Sequence, residues 1–190
     1  MFDGNDYLIR RKVFTILGAK FHVFDADGDL VLFSEQKAFK LKEDIRVFAD
    51  DSKSEERLLI KARSIIDFGA AYDVIDPVAS EKIGALRRRG LKSIFRDSWE
   101  LLDNDDLVIG KIREDSALLA TIRRLLANLV PQTFEAKIGE RPVARYRQRF
   151  NPFVFKLEVR ILDGARDLVD PRLLLACGIL LVAIEGRQRG

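Results

Sequence analysis

The chain has 190 residues, the length of one domain or at most two small ones, and area scaling allows roughly 70% of its unfolded surface to be buried. Its 47% hydrophobic and 33% charged residues exclude a disordered tail, and no apolar run reaches the roughly 18 residues of an ordinary membrane span. One Cys and one His exclude an internal disulfide and remove most zinc, haem and thiol chemistry. The 33 basic and 30 acidic residues leave a net charge of +3, which is no nucleic-acid signature, so any anionic partner has to be argued from local clusters.

The opening Met1-Phe-Asp-Gly-Asn-Asp6 has neither the basic nor the apolar region of a secretory signal, so cytoplasmic residence is the expectation. No Ser/Gly/Pro-rich linker divides the sequence, which reads as a single domain over residues 1–190. From Tyr7 to Arg113 short apolar, β-branched and aromatic runs are broken by Asp and Gly: Val13–Leu17, Phe21–Phe24, Leu30–Phe33, Ile45–Phe48, Leu58–Ile60, Tyr72–Ile75 and Leu107–Ile109. That is the rhythm of a β-meander. Two apolar residues followed by Asp recur at Asp25, Asp76, Asp103 and Asp163, each followed by turn formers, which predicts repeated hairpins.

Two segments break the rhythm. Leu118, Leu119, Ile122, Leu125, Leu126 and Leu129 share one face of a predicted amphipathic helix stopped by Pro131. Strands resume over Thr133–Ile138, Val143–Phe150 and Val154–Leu162. Then Asp170-Pro171 supplies a cap and a first-turn proline, and Leu173–Ile184 has no polar side, so a helix here has to be enclosed on every face. At about 1.5 Å per residue its twelve apolar residues span about 18 Å, too short for a bilayer of about 30 Å. Ala176, Cys177, Gly178 and Ala183 are small, as a helix threaded through a narrow lumen requires. An antiparallel barrel wrapped around that helix satisfies both patterns.

This succession resembles the tubby C-terminal-like superfamily, and within it the LURP-one-related proteins, with a more distant similarity to phospholipid scramblases. The residues that carry the resemblance are Tyr7–Phe14, Phe24–Val31, Tyr72–Asp76 with Ile83-Gly84, and the closing Asp167–Leu180. The resemblance implies a mainly β fold, a closed antiparallel β-barrel of about twelve strands around a central hydrophobic C-terminal helix. It also implies phosphoinositide binding through exterior basic side chains, as in tubby proteins, or a scramblase-like role in lipid transfer. The scramblases' proline-rich arm and cysteine cluster are missing here.

Candidate sites are few. The Asp25-Ala-Asp-Gly-Asp29 loop lacks the Gly and Glu of a calcium-binding EF-hand and reads as a hairpin turn, and Asp163–Asp170 carries an internal Arg166, so no metal site is expected. Gly84–Gly90 has the wrong spacing for a phosphate loop and reads as strand and turn, and no catalytic motif or cofactor fingerprint is present, so no enzymatic activity and no cofactor are expected. Cys177 is expected to be an inert buried thiol, Trp99 a packing residue and His22 structural. Arginine is the remaining signal. Arg145, Arg147 and Arg149 share one strand face by period two, opposite Tyr146 and Phe150; Arg87, Arg88, Arg89, Lys92 and Arg96 form a second cluster, and Arg10, Arg11 and Lys12 a third. Three like charges on one face repel unless acids or an anionic ligand lie across from them. Both a solvated exterior paired to Asp and Glu and an anion-binding surface satisfy that condition. An anionic membrane surface or phosphoinositide is therefore one candidate partner, a protein held by a scaffold without a small ligand is another, and nucleic acid ranks behind them.

Overall fold

A computed structural model describes residues 1–12, 19–36, 44–63, 71–89, 98–114, 132–149, 151 and 153–185. The predicted mid-chain helix and the run Val13–Leu17 lie outside the described residues. Twelve strands follow one another: β1 Asp6–Lys12, β2 Ala19–Phe24, β3 Leu30–Gln36, β4 Ile45–Phe48, β5 Glu56–Ala62, β6 Ala71–Asp76, β7 Glu81–Arg89, β8 Ser98–Leu102, β9 Val108–Glu114, β10 Thr133–Ile138, β11 Arg141–Arg149 and β12 Val154–Ile161. Each pairs antiparallel with its sequence neighbour, and β1 also pairs with β12, so the sheet closes into a barrel without an edge. Closure removes the unpaired strand edges that invite aggregation.

Alternation sets which side chains fill the barrel. In β12, Phe155, Leu157, Val159 and Ile161 are buried, while Lys156, Glu158 and Arg160 between them point outward. All twelve strands contribute buried side chains to one core cluster, and α1 (Pro171–Glu185), with Ala165 and Val169 before it, contributes the rest. Every side chain from Leu173 to Ala183 is at most 2% exposed, so the apolar helix is enclosed all round. At Gly178 the helix lies close against the wall: an added Cβ would lie 2.9 Å from both Ile9 Cδ1 and Val159 Cγ2. The Tyr146 hydroxyl, buried in the core, donates a hydrogen bond to the Leu174 carbonyl at 2.9 Å. The cap is as the sequence indicates, with Asp170 Oδ1 accepting the Arg172 amide at 2.8 Å.

Three of the hairpin turns share one design. Asp25 Oδ1 accepts the amides of Asp27 and Asp29, Asp76 Oδ1 those of Val78 and Ala79, and Asp103 Oδ1 those of Asp105 and Leu107. Each turn then uses one left-handed residue, Gly28, Ser80 or Asp106. The β4–β5 turn repeats the device with Asp50 and Lys53, although Ala49 separates Asp50 from the apolar pair and hides it from the sequence pattern. The fourth predicted hairpin, at Asp163, is different: Gly164 leads into a single 3-10 turn over Ala165–Asp167 that redirects the chain into the lumen. Because the strands alternate in direction, these turns and the start of α1 lie at one end of the barrel, and the β11–β12 connection lies at the other.

Candidate functional site

The exterior of β11 carries the arginine ladder as alternation requires. Arg145, Arg147 and Arg149 are exposed and Tyr146 between them is buried; Phe150 lies outside the described residues. Antiparallel register then decides their neighbours. Arg145 stands between Glu135 of β10 and Arg160 of β12, and Arg147 between Thr133 and Glu158. Carboxylates answer part of the ladder: Arg145 Nε reaches Glu135 Oε1 at 3.2 Å, and Arg149 pairs with Glu158. Arg147 has no carboxylate partner among the described residues.

Glu135 is itself shared, since Lys137 Nζ lies 3.2 Å from its other oxygen. Burial raises its pKa, but hydrogen bonds from Lys137 and Arg145 outweigh burial and hold it below the usual carboxylate range. One ionised carboxylate facing two cations leaves a positive charge in excess. The same holds on β8, where Glu100 takes Arg87 Nη2 at 2.6 Å and Arg89 Nε at 2.8 Å. Its pKa is pushed up by burial but drawn lower on balance by Arg89 and Arg87.

The cluster at Arg87–Arg89 is divided by the pleat. Arg87 pairs with Glu100 across the sheet and points outward, whereas Arg88 stands opposite the buried Trp99 on the lumenal face. Lys92 and Arg96 lie outside the described residues. Alternation divides the N-terminal cluster too, because Arg11 is 8% exposed with its guanidinium 5.8 Å from the Phe21 ring, while Arg10 stays on the exterior.

Register brings in cations that no linear cluster announces. Lys111 of β9 stands directly opposite Lys137, Arg113 opposite Glu135, and Lys156 of β12 opposite both Arg149 and Arg10. From β9 round to β1 the outward cations are Lys111, Arg113, Lys137, the β11 ladder, Lys156, Arg160 and Arg10, against the outward carboxylates Glu135, Glu158 and Asp6. That excess exceeds the whole-chain charge of +3. The spacing Lys111-Ile-Arg113 shows a shared face in the sequence, but only barrel closure shows that β12 and β1 are neighbours.

Two open hollows lie on this wall. A groove of about 550 Å³ is lined by Val108, Ile109, Lys111, Arg113, Glu135 and Lys137 among others, and a smaller one of about 210 Å³ shares Lys111 and Arg113 with Arg89, Trp99 and Glu100. Among the described residues, Lys111 and Arg113 have no carboxylate partner. His22 is half-buried against the rings of Phe24 and Phe33 at 6.2 and 5.2 Å, and burial pushes the Cys177 thiol up to about 12. No described helix is long and apolar enough to cross a membrane. A family model described as LURP-one-related matches residues 30–182. No curated protein matches the chain.

Proposed function

The chain belongs to the LURP-one-related family, and from the charge of its barrel we propose that it is a non-enzymatic binding module that recognises an anionic ligand, a phospholipid or phosphoinositide headgroup, through its exterior basic residues. The observation that carries this reading is the excess of outward cations from β9 to β1, several of them directly opposite one another. Like charges held cross-strand destabilise a sheet, and an anion laid over them offsets that repulsion. Arg145, Arg147 and Arg149 present three guanidinium groups suited to phosphate oxygens. Lys111 and Arg113 extend the surface into the groove.

Vesicle co-sedimentation tests this reading. The wild type should bind phosphatidylcholine vesicles that contain phosphatidylserine or a phosphoinositide and leave pure phosphatidylcholine unbound. Changing Arg145, Arg147 and Arg149 together to Gln should weaken binding by about two orders of magnitude, and about 0.5 M salt should do much the same to the wild type because the contacts are exposed. Equal binding by both folded proteins removes the ladder from the site. Binding by neither leaves the protein-scaffold reading in first place.

A further inference from the structure

The rows that run across the strands, rather than along β11, show a more specific arrangement, which rests on the anion-binding reading. Arg149, Lys156 and Arg10 occupy one row over three adjacent strands, each directly opposite the next. Cβ atoms in such positions are about 4.5–5.5 Å apart, close enough for three cations to contact neighbouring phosphates of one surface. Arg149 has Glu158 beside it, and the Arg10 guanidinium lies 4.5 Å over the Phe24 ring. Among the described residues, neither Lys156 nor Arg10 has a carboxylate partner.

The row lies toward the end of the barrel that carries the β11–β12 connection, and there Phe153 is 70% exposed. No other described aromatic side chain is as exposed. Its placement is fixed locally, since Asn151 Oδ1 accepts the amides of Phe153 at 3.0 Å and Val154 at 2.9 Å. Val154 pairs with Lys12 of β1, so the ring stands next to the strands that carry the cations. The other exposed apolar side chains at turns, Leu30, Val78, Leu107 and Leu168, lie at the opposite end, each within two residues of an aspartate, Asp29, Asp76, Asp106 or Asp167. An anionic surface would repel that end and attract this one.

We propose that the barrel docks end-on at an anionic lipid bilayer, with Phe153 inserted at the boundary between headgroups and acyl chains and with Arg149, Lys156 and Arg10 against lipid phosphates. A projecting apolar ring beside basic residues is the combination that interfacial binding requires, because apolar burial and attraction to anionic lipid add. The acidic turn end then faces away from the membrane.

Phe153→Trp supplies the direct readout, since the native Trp99 is 2% exposed in the lumen and does not meet lipid. With phosphatidylcholine vesicles containing phosphatidylserine, the new indole should shift its emission to the blue and be quenched by brominated acyl chains; with phosphatidylcholine alone it should do neither. Phe153→Ser should weaken binding to the anionic vesicles about ten-fold while leaving binding of soluble inositol hexakisphosphate unchanged. Arg10→Gln with Lys156→Gln, which leaves the ladder intact, should weaken vesicle binding about thirty-fold, with circular dichroism confirming the fold and Lys156→Gln alone serving if Arg10 is needed for it. A water-like emission on vesicles that do bind the protein, or full vesicle affinity in Phe153→Ser or in the row variants, overturns the docking geometry even if the ladder variant loses binding. Binding of the soluble polyanion without binding of vesicles overturns it too, and wild type that binds neither removes the anion-binding reading itself.

Discussion

Gly178 sits where the barrel wall leaves the helix little room for a side chain. A helix interior disfavours glycine by about 1 kcal/mol relative to alanine, yet here a Cβ would come within 2.9 Å of the Ile9 and Val159 methyl groups. In Gly178→Ala the gain in helix propensity offsets the crowding, and stability should stay close to that of the wild type. In Gly178→Val the branched side chain has nowhere to go, and overpacking should cost about 1–3 kcal/mol, read as a lower midpoint in urea with an unchanged slope. Cys177, the neighbouring small residue, follows the same logic. It is 1% exposed, and its raised pKa keeps it a thiol.

At the scale of the element, α1 is held where it enters the barrel. Arg172 Nη1 reaches Asp76 Oδ2 in the β6–β7 turn at 2.5 Å, and its Nε and Nη2 reach Asp170 at 3.0 and 2.6 Å. A cation in the first turn opposes the helix dipole, so the two carboxylates are what make it favourable there. The Ala79 amide is the main cause that lowers the Asp76 pKa, burial opposes it, and the Val78 amide and the Arg172 charge add to the lowering. A carboxylate whose folded pKa lies below its unfolded value stabilises the fold above the unfolded value, near 3.8, and that contribution is lost as pH falls through the folded pKa. Asp76→Asn should therefore cost about 1 kcal/mol at neutral pH and flatten the acid limb of a stability-versus-pH curve below about pH 4. An acid limb as steep as that of the wild type would show that Asp76 does not link the helix to pH.

For the whole molecule, the helix fills the one core cluster to which all twelve strands contribute, so the barrel has no independent way to bury its lumenal face. Leu180 is 1% exposed, so a carboxylate there is taken out of water. Leu180→Asp should abolish soluble folded protein rather than release the helix alone, because an unpaired buried charge costs about as much as the whole stability of a domain. Expression yield and near-ultraviolet circular dichroism check this, and a folded variant with an unchanged melting temperature would show that the lumen admits water. Charge is likewise a property of the whole. Asp-rich turns gather at one end and the cation-rich wall runs from β9 to β1, a separation that a net charge of +3 conceals.

Elements whose signal is local are legible along the chain. Period two in β12, the Asp that caps each of three hairpins and the polar-free run after Pro171 all act within a few residues, and all are visible along the chain. That Arg145, Arg147 and Arg149 share a face is legible too, because the pleat alone requires it. What stands across from them depends on the folded barrel. Glu135 answers Arg145, Glu158 answers Arg149, and Lys156 meets Arg10, a residue 146 positions earlier, only because β12 closes on β1. The pleat also moved Arg88 and Arg11 to the lumenal side of strands whose neighbouring arginines face outward. Cross-strand register depends on hydrogen bonds between distant segments and on closure of the barrel, and neither leaves a mark in the local spacing of charges.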